Sequence, residues 1–181
     1  MDTKTKIKET AYRLFENHPF SAITTSRIIK ESGVSRRTFY NHFPDKYELM
    51  YNYYEDLIVV RVFGNLGMPT KLTAETWAQY NTVFFELLKE RQSFYSNVNE
   101  NDENNDFQKF IYGYAVNFYK GLRQRHKQRE QLTMVEQTVI HAFSAAFISV
   151  VKDLMDPKSQ LTPAQATAVL KQIIPEGYRQ Y

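Results

Sequence analysis

The sequence predicts an all-α fold, and three observations carry that prediction. Apolar side chains recur at i, i+3 and i+4 in one segment after another, the repeat of a helix with one buried face. No segment alternates apolar and polar residues as a half-buried strand does. The 181 residues hold six glycines and six prolines beside 13 tyrosines, 13 phenylalanines and one tryptophan, a composition of long helices rather than of a turn-rich β fold.

The elements follow in order. Between Lys4 and His18, Ile7, Ala11, Leu14 and Phe15 share one helical face, and Pro19 stops the helix. Thr24 or Thr25 can cap a second, short helix that turns Ile28 and Ile29 inward and ends at Gly33, a natural left-handed C-cap. Ser35 caps a third, from Arg36 to His42. Asp45 with Glu48 forms a capping box for a fourth, running to about Phe63, and the Gly-Asn-Leu-Gly-Met-Pro stretch at 64–69 is the clearest break in the chain. Three or four longer helices are expected beyond it. Thr73 caps one to about Arg91, and another spans Phe107 to about Arg129. Thr133 with Glu136 opens a third, to about Asp156. Thr162, Pro163 and Gln165 open the last, to about Ile174. Residues 99–106 hold four acids and no base and read as a solvated loop.

Charge and composition then narrow the function. Residues 1–50 carry nine basic side chains against six acidic ones, while residues 51–181 are balanced, so the whole net charge of +3 sits in the first quarter. The absence of cysteine excludes disulfides, a thiol nucleophile and thiolate metal ligation. A 43% hydrophobic content supports a real core. No apolar run is read as reaching the roughly 18 residues of a membrane span; the longest, Val139 to Val151, is broken by His141, Ser144 and Ser149. The first ten residues lead into an amphipathic pattern rather than a signal-peptide block, so a cytoplasmic protein without a membrane partner is expected.

The most informative stretch is Thr25 to Tyr40: a short helix, a Gly33-Val34-Ser35 turn and a second short helix, as a helix-turn-helix requires. Gly33 permits the sharp turn, Val34 plugs the angle and Ser35 caps the second helix. Arg36, Arg37, Tyr40 and Asn41 then stand on that helix, where arginine suits guanine, asparagine suits adenine and tyrosine suits phosphate. An αα-hairpin with a solvated polar face fits the same pattern.

Residues 6–51 resemble the DNA-binding domain of the TetR family of transcriptional regulators. The resemblance rests on Ala11-Tyr12-Arg13-Leu14-Phe15, Ile28, Gly33-Val34-Ser35, Thr38-Phe39-Tyr40-Asn41-His42-Phe43, Pro44-Asp45-Lys46 and Leu49. It implies a three-helix helix-turn-helix domain at 1–50 and a helical effector-binding and dimerisation domain at 51–181. Tyr40 and His42 match positions that touch phosphate or bases, Thr24 and Thr25 match phosphate contacts, and Lys46 matches a phosphate-binding lysine. Arg36, Arg37 and Asn41 sit where family members vary and read sequence. Ser35, Thr38 and Arg27 complete the expected DNA-binding set. Two departures bear on the operator sequence: Arg37 stands where many members have a small residue, and the base expected at Ser26 is found instead at Arg27.

The remainder supports less specific expectations. The helix from Thr133 to Asp156 has an apolar stripe (Val139, Phe143, Phe147, Val150, Leu154) and a small-residue side (Thr138, Ala142, Ala145, Ser149). Ala142, Ala145 and Ser149, with Ala166, Val169, Leu170 and Ile173 of the last helix, can form a four-helix interface between two copies; packing within one chain fits the same pattern. Trp77, Tyr80, Phe84, Phe110, Tyr114, Phe118, Phe143 and Phe147 lie on stripes that suit either a plain core, the commoner use, or a pocket for a small-molecule effector. A partner protein as effector is the alternative. The basic run Lys120 to Arg129 reads as the solvated end of its helix. No catalytic or metal-ligating constellation is found, and no cofactor is implied: the four histidines lack partners at ligand spacing and no Gly-rich phosphate loop exists. The expected protein is therefore a homodimeric regulator that binds a palindrome-like site in double-stranded DNA. It is read as a repressor relieved by an effector, with an activator of the same family as alternative and an all-α enzyme as a remote one.

Overall fold

Helix α1 (Thr3–Asn17) starts where Asp2 accepts a hydrogen bond from the Thr5 N–H at 3.0 Å, and it buries Ile7, Ala11, Leu14 and Phe15 as their spacing predicts. The computed structural model describes residues 2–67, 73–100 and 106–173, which contain α-helices and no β-strand. Each fully buried Leu, Ile or Phe on such a face contributes about 1.5–3 kcal/mol relative to exposure. Pro19 ends the helix, and a 3₁₀ turn, Phe20–Ala22, drops Phe20 into the core. Helix α2 (Thr25–Ser32) is capped by Thr24, whose side chain accepts from the Arg27 N–H. It ends at Gly33 with φ +64°, where a side chain would be strained. Helix α3 (Arg36–Tyr40) is capped by Ser35 and is two residues shorter than expected.

Helix α4 (Lys46–Tyr54) shows half of the expected capping box. Asp45 accepts from the Tyr47 and Glu48 N–H groups, but the Glu48 carboxylate accepts from the Asn52 amide instead of returning to Asp45. The helix passes through a π turn (Glu55–Val59) into α5 (Val60–Leu66). The sequence explains this detour. Met50, Tyr54, Ile58 and Val62 are all buried and spaced by four. In a regular helix such a row drifts by about 40° per step; the wider i→i+5 turn winds more slowly and takes the drift back. Gly64 and Asn65 therefore stay helical, and the break comes at Gly67, with φ +72°.

Helix α6 (Ala74–Glu90) is capped by Thr73 as expected. A further helix, α7 (Gln92–Glu100), was not expected; it buries Phe94, Tyr95 and Val98 beneath α1 and beside the 3₁₀ turn. Asn99 and Glu100 thus belong to a helix, Asp106 begins the next, and the rest of the anticipated acidic loop lies outside the described residues. Helix α8 (Asp106–Lys127) leads to α9 (Met134–Met155), whose Thr133–Glu136 capping box is complete. In α10 (Pro163–Ile173), Thr162 and Gln165 bond reciprocally; its expected end at Ile174 lies outside the described residues. Helices α6, α8, α9 and α10 pack on one another, and the α4–π–α5 rod joins them to α1.

Candidate nucleic-acid interface and ligand cavity

The N-terminal helices hold α3 by its aromatic side. Phe39 and Phe43 are buried, their ring centroids 6.2 Å apart, and half-buried Val34 packs into the same core. Holding that side inward leaves Arg36, Arg37, Asn41, His42 and Tyr40, the last 51% exposed, on the opposite side. Two helices joined by a left-handed Gly33 thus present a cationic and amide-bearing tip of a size a major groove admits.

The expected contact residues do not share one state. The Arg37 side chain makes no hydrogen bond or ion pair among the described residues. Arg36 donates to Ser26 Oγ at 2.9 Å, which ties α3 to α2. Arg27 is engaged: it donates to Glu31 at 2.8 Å and lies 2.8 Å from His18 Nε2, while Arg13 reaches the same Glu31 at 3.0 Å. These two guanidiniums, bonding the Glu31 carboxylate, hold its pKa below the ordinary value. Ser35 Oγ lies 2.7 Å from Thr38 Oγ1, and Thr24 serves as the α2 cap beside half-buried Thr25.

Lys46 is the clearest departure from expectation. Its ammonium donates to the carbonyls of Phe20 and Ile23, both at 2.9 Å, and sits 4.2 Å from the Phe20 ring centroid. Two of three N–H groups thus close the 3₁₀ turn against α4, and burial lowers the amine's pKa. The third N–H has no acceptor among the described residues.

Polar bonds join this region to the rod behind it. Tyr12 donates to Asp56 Oδ2 at 2.7 Å, and Lys8 pairs with the same carboxylate. Tyr53 donates to Glu16 Oε1 at 3.1 Å, which also accepts from Arg91 at 3.0 Å. Desolvation, with Asp56 and Glu16 close by, pushes both phenol pKa values up. Asp56 lies within the π turn, so α1 is anchored to the irregular part of the rod.

Behind the rod lies a cleft of roughly 530 Å³, counting space open to solvent, between α4, α5, α6, α8 and α9. Five of the eight expected pocket residues line it: Tyr80, Phe84, Tyr114, Phe118 and Phe147. Trp77, Phe110 and Phe143 do not. Phe110 stacks on Tyr51 at 4.2 Å, and Trp77 and Phe143 pack edge to face at 6.1 Å. Sequence reasoning missed Tyr54, Val59, Val62, Phe63, Asn81, Ile111, Ala115 and Tyr119 as lining. Part of the signal was present, since Ile111, Ala115 and Tyr119 are spaced by four beside the aromatic stripe. A second cleft of roughly 390 Å³ lies nearer α7, lined among others by Tyr95, Phe107 and Met155. No metal-binding cluster of acids or histidines occurs among the described residues.

The small-residue side of α9 stays open: Thr138, Ala142, Ala145 and Ser149 are exposed, as are Val169 at 40% and Ile173 at 46% on α10. Ala166 and Leu170 correct the expectation, being wholly buried within the chain where α10 packs on α6 and α9. Helix α9 also corrects the reading of the apolar run. It is long and apolar enough, by length and composition, to cross a membrane, because His141, Ser144 and Ser149 interrupt the run without adding an Asp, Glu, Lys or Arg. Its buried stripe packs against α6, α8 and α10. Within the basic run, Arg123 and Arg129 clamp the buried Glu136 at 3.1 and 2.5 Å, so part of that run closes the α8–α9 corner rather than facing solvent.

Residues 7–51 match the family profile described as bacterial regulatory proteins, tetR family, and residues 75–176 match that of a transcriptional regulator C-terminal region. The chain is 31% identical over 93 residues to the uncharacterized HTH-type transcriptional regulator YuxN of Bacillus subtilis, a stretch covering 50% of this chain and 32% of that protein. It is 38% identical over 50 residues to an HTH-type transcriptional regulator of Staphylococcus aureus strain USA300, covering 28% and 27% of the two chains. These alignments span a third or less of the curated relatives. Two solved structures share the fold at a TM-score of 0.62. One is the dihydroxyacetone kinase operon activator DhaS (17% identity; 94% of this chain and 93% of that one). The other is the fatty acid degradation regulator FadR from Bacillus halodurans (15%; 100% and 98%).

Proposed function

The chain belongs to the TetR family of helix-turn-helix transcriptional regulators, and we propose that it works as a cytoplasmic homodimeric repressor whose grip on a palindrome-like DNA site is released by an effector in the cleft behind α4. The observation that carries the DNA-binding reading is the construction of α3. Phe39 and Phe43 anchor one side, and Arg36, Arg37, Tyr40, Asn41 and His42 are left outward. Thr24, Thr25, Ser35, Thr38 and Lys46 contribute phosphate contacts around it. Arg27, already bonded to Glu31, acts through the scaffold.

The 1–50 unit reads DNA and the 51–181 unit pairs and senses. A palindromic site requires two recognition helices about 34 Å apart, hence a dimer. The open stripe Ala142, Ala145 and Ser149, with Val169 and Ile173, is the face assigned to it: small side chains permit close helix approach. Membership of a regulator family argues against an enzyme. One fold neighbour is named an activator; likeness of fold does not choose the sign of regulation.

Selection of genomic fragments on the immobilised protein, followed by mobility-shift titration, tests this. The expected result is an inverted-repeat site. Arg37→Ala and Asn41→Ala should each cost about 1–3 kcal/mol and relax preference at one or two base pairs. Normal operator binding by a variant with Arg36, Arg37, Tyr40 and Asn41 all truncated overturns the assignment. A monomer of about 21 kDa by sedimentation overturns the dimer.

A further inference from the structure

Among the described residues, the lining of the cleft behind the rod holds no Asp, Glu, Lys, Arg or His. Its polar groups are the Asn81 side chain and the hydroxyls of Tyr54, Tyr80, Tyr114 and Tyr119. Those groups are not equivalent. Tyr80 is spent, donating to the carbonyls of Leu66 and Gly67 at 3.0 and 2.5 Å, where it closes the end of α5. Asn81, 6% exposed, donates from Nδ2 to the Trp77 carbonyl at 2.8 Å and accepts only a long 3.5 Å bond from the Tyr119 hydroxyl. Tyr54, 2% exposed, makes ring contacts but no hydrogen bond among the described residues. Buried hydroxyls and amides ordinarily have good partners, so a weakly bonded Asn81–Tyr119 pair and an unbonded Tyr54 leave hydrogen-bonding capacity facing an apolar space.

We infer that the effector is a small, uncharged, largely aromatic or aliphatic molecule with one hydrogen-bonding group set between Asn81, Tyr119 and Tyr54. This rests on the cleft being the effector site. An anion meets no cation in the lining and carries a desolvation cost that nothing there offsets. Burial raises the pKa of both Tyr54 and Tyr114, and Glu55, a negative charge next to Tyr54 in the chain, adds to the rise. A cation meets no carboxylate in the lining and would stand on ring faces alone. A neutral hydroxyl or amide can both donate to Asn81 Oδ1 and accept from a tyrosine, and the rings of Phe63, Phe84 and Phe118 cover its apolar body.

Three probes of one ring system separate these cases by titration calorimetry at pH 7.5 on the full chain: 2-naphthol, 2-naphthoate and 2-naphthylmethylammonium, with naphthalene as the headless control. The inference expects 2-naphthol to bind at least about tenfold tighter than either ion. It also expects Asn81→Leu to weaken naphthol by about tenfold, one hydrogen bond's worth, while leaving naphthalene unchanged. Ala115→Trp, which fills the space, should abolish both. Circular dichroism confirms folding, and Ala115→Phe is the milder filling variant should the tryptophan not fold. Tighter naphthoate or ammonium binding that the filling variant abolishes overturns the ligand class and keeps the site. Binding that neither filling variant alters overturns the site itself. No binding of any probe overturns the ligand class.

Discussion

The region that faces DNA and the region that holds the cleft are built by opposite rules. Around α1 to α3 the buried and capping polar groups are closed: Asp2, Thr24 and Ser35 cap helices, Ser32 bonds to a backbone carbonyl, and Lys46 seals the 3₁₀ turn. The wholly enclosed side-chain polar atoms without a partner among the described residues lie later, at Trp77 Nε1, Arg91 Nε, Tyr95 Oη and Ser144 Oγ, and the unbonded Tyr54 hydroxyl stands at the cleft. Both clefts lie there too. A surface that must match a fixed groove benefits from a rigid support, whereas a sensor benefits from packing with slack, because a guest can then alter it. The π turn stands at the border, touching the cleft through Val59, just after the Tyr54 that ends α4, and touching α1 through Asp56.

The strongest way to break this contrast is to remove the same ring from each side. Phe39→Ala, at a wholly buried position, should cost about 3–5 kcal/mol. Phe118→Ala, at a half-buried wall of existing space, should cost only about 1–2 kcal/mol. Urea unfolding of both variants measures the difference, and equal losses would remove the claim that the second region is looser.

Next in size is Lys46→Met, which keeps the stem and removes the charge. It takes the ammonium from the Ile23 carbonyl and leaves the Phe20 carbonyl with only the Ile23 N–H, and should destabilise the chain by about 1–3 kcal/mol. The salt dependence of DNA binding should fall by no more than about one phosphate's share. Unchanged stability with a large loss of affinity would return Lys46 to a pure phosphate contact.

The smallest effect concerns the α8–α9 corner and acid. Glu136 accepts from the Thr133 backbone N–H and hydroxyl and from Arg129, which hold its carboxyl at about 2 against an ordinary 4.5. Because the folded value is depressed, its contribution is complete above about 4.5 and disappears as the pH falls toward 2. Between these limits, melting temperature should fall less steeply for Glu136→Gln than for the natural chain, since the variant has no proton to take up there. Parallel slopes would show that the corner is held by packing alone.

How much could be read beforehand differs between the same two regions. Thr24, Gly33, Ser35 and the Thr133–Glu136 box were legible because caps and left-handed turns depend on residues within a few positions of one another. Helix α7 was hidden because its pattern, Phe94, Tyr95 and Val98, is too short to stand out beside an acidic stretch. Lys46 was legible as a cation and not as a turn-closing one, since its acceptors lie 23 and 26 residues away. The cleft was half legible: aromatic stripes predicted rings facing one another. Which ring lines a space and which fills one depends on how five elements approach.

The sequence by itself therefore determined the helices other than α7, most of their caps, the helix-turn-helix and the side of α3 that is left outward, all consequences of short-range spacing and backbone conformation. Only the tertiary structure decided that Ala166 and Leu170 are core, that Arg123 and Arg129 share Glu136, and that Asn81, Tyr119 and Tyr54 face one apolar space. Helical periodicity states which side chains share a face, but the partner of that face is chosen by close packing among elements far apart in the chain.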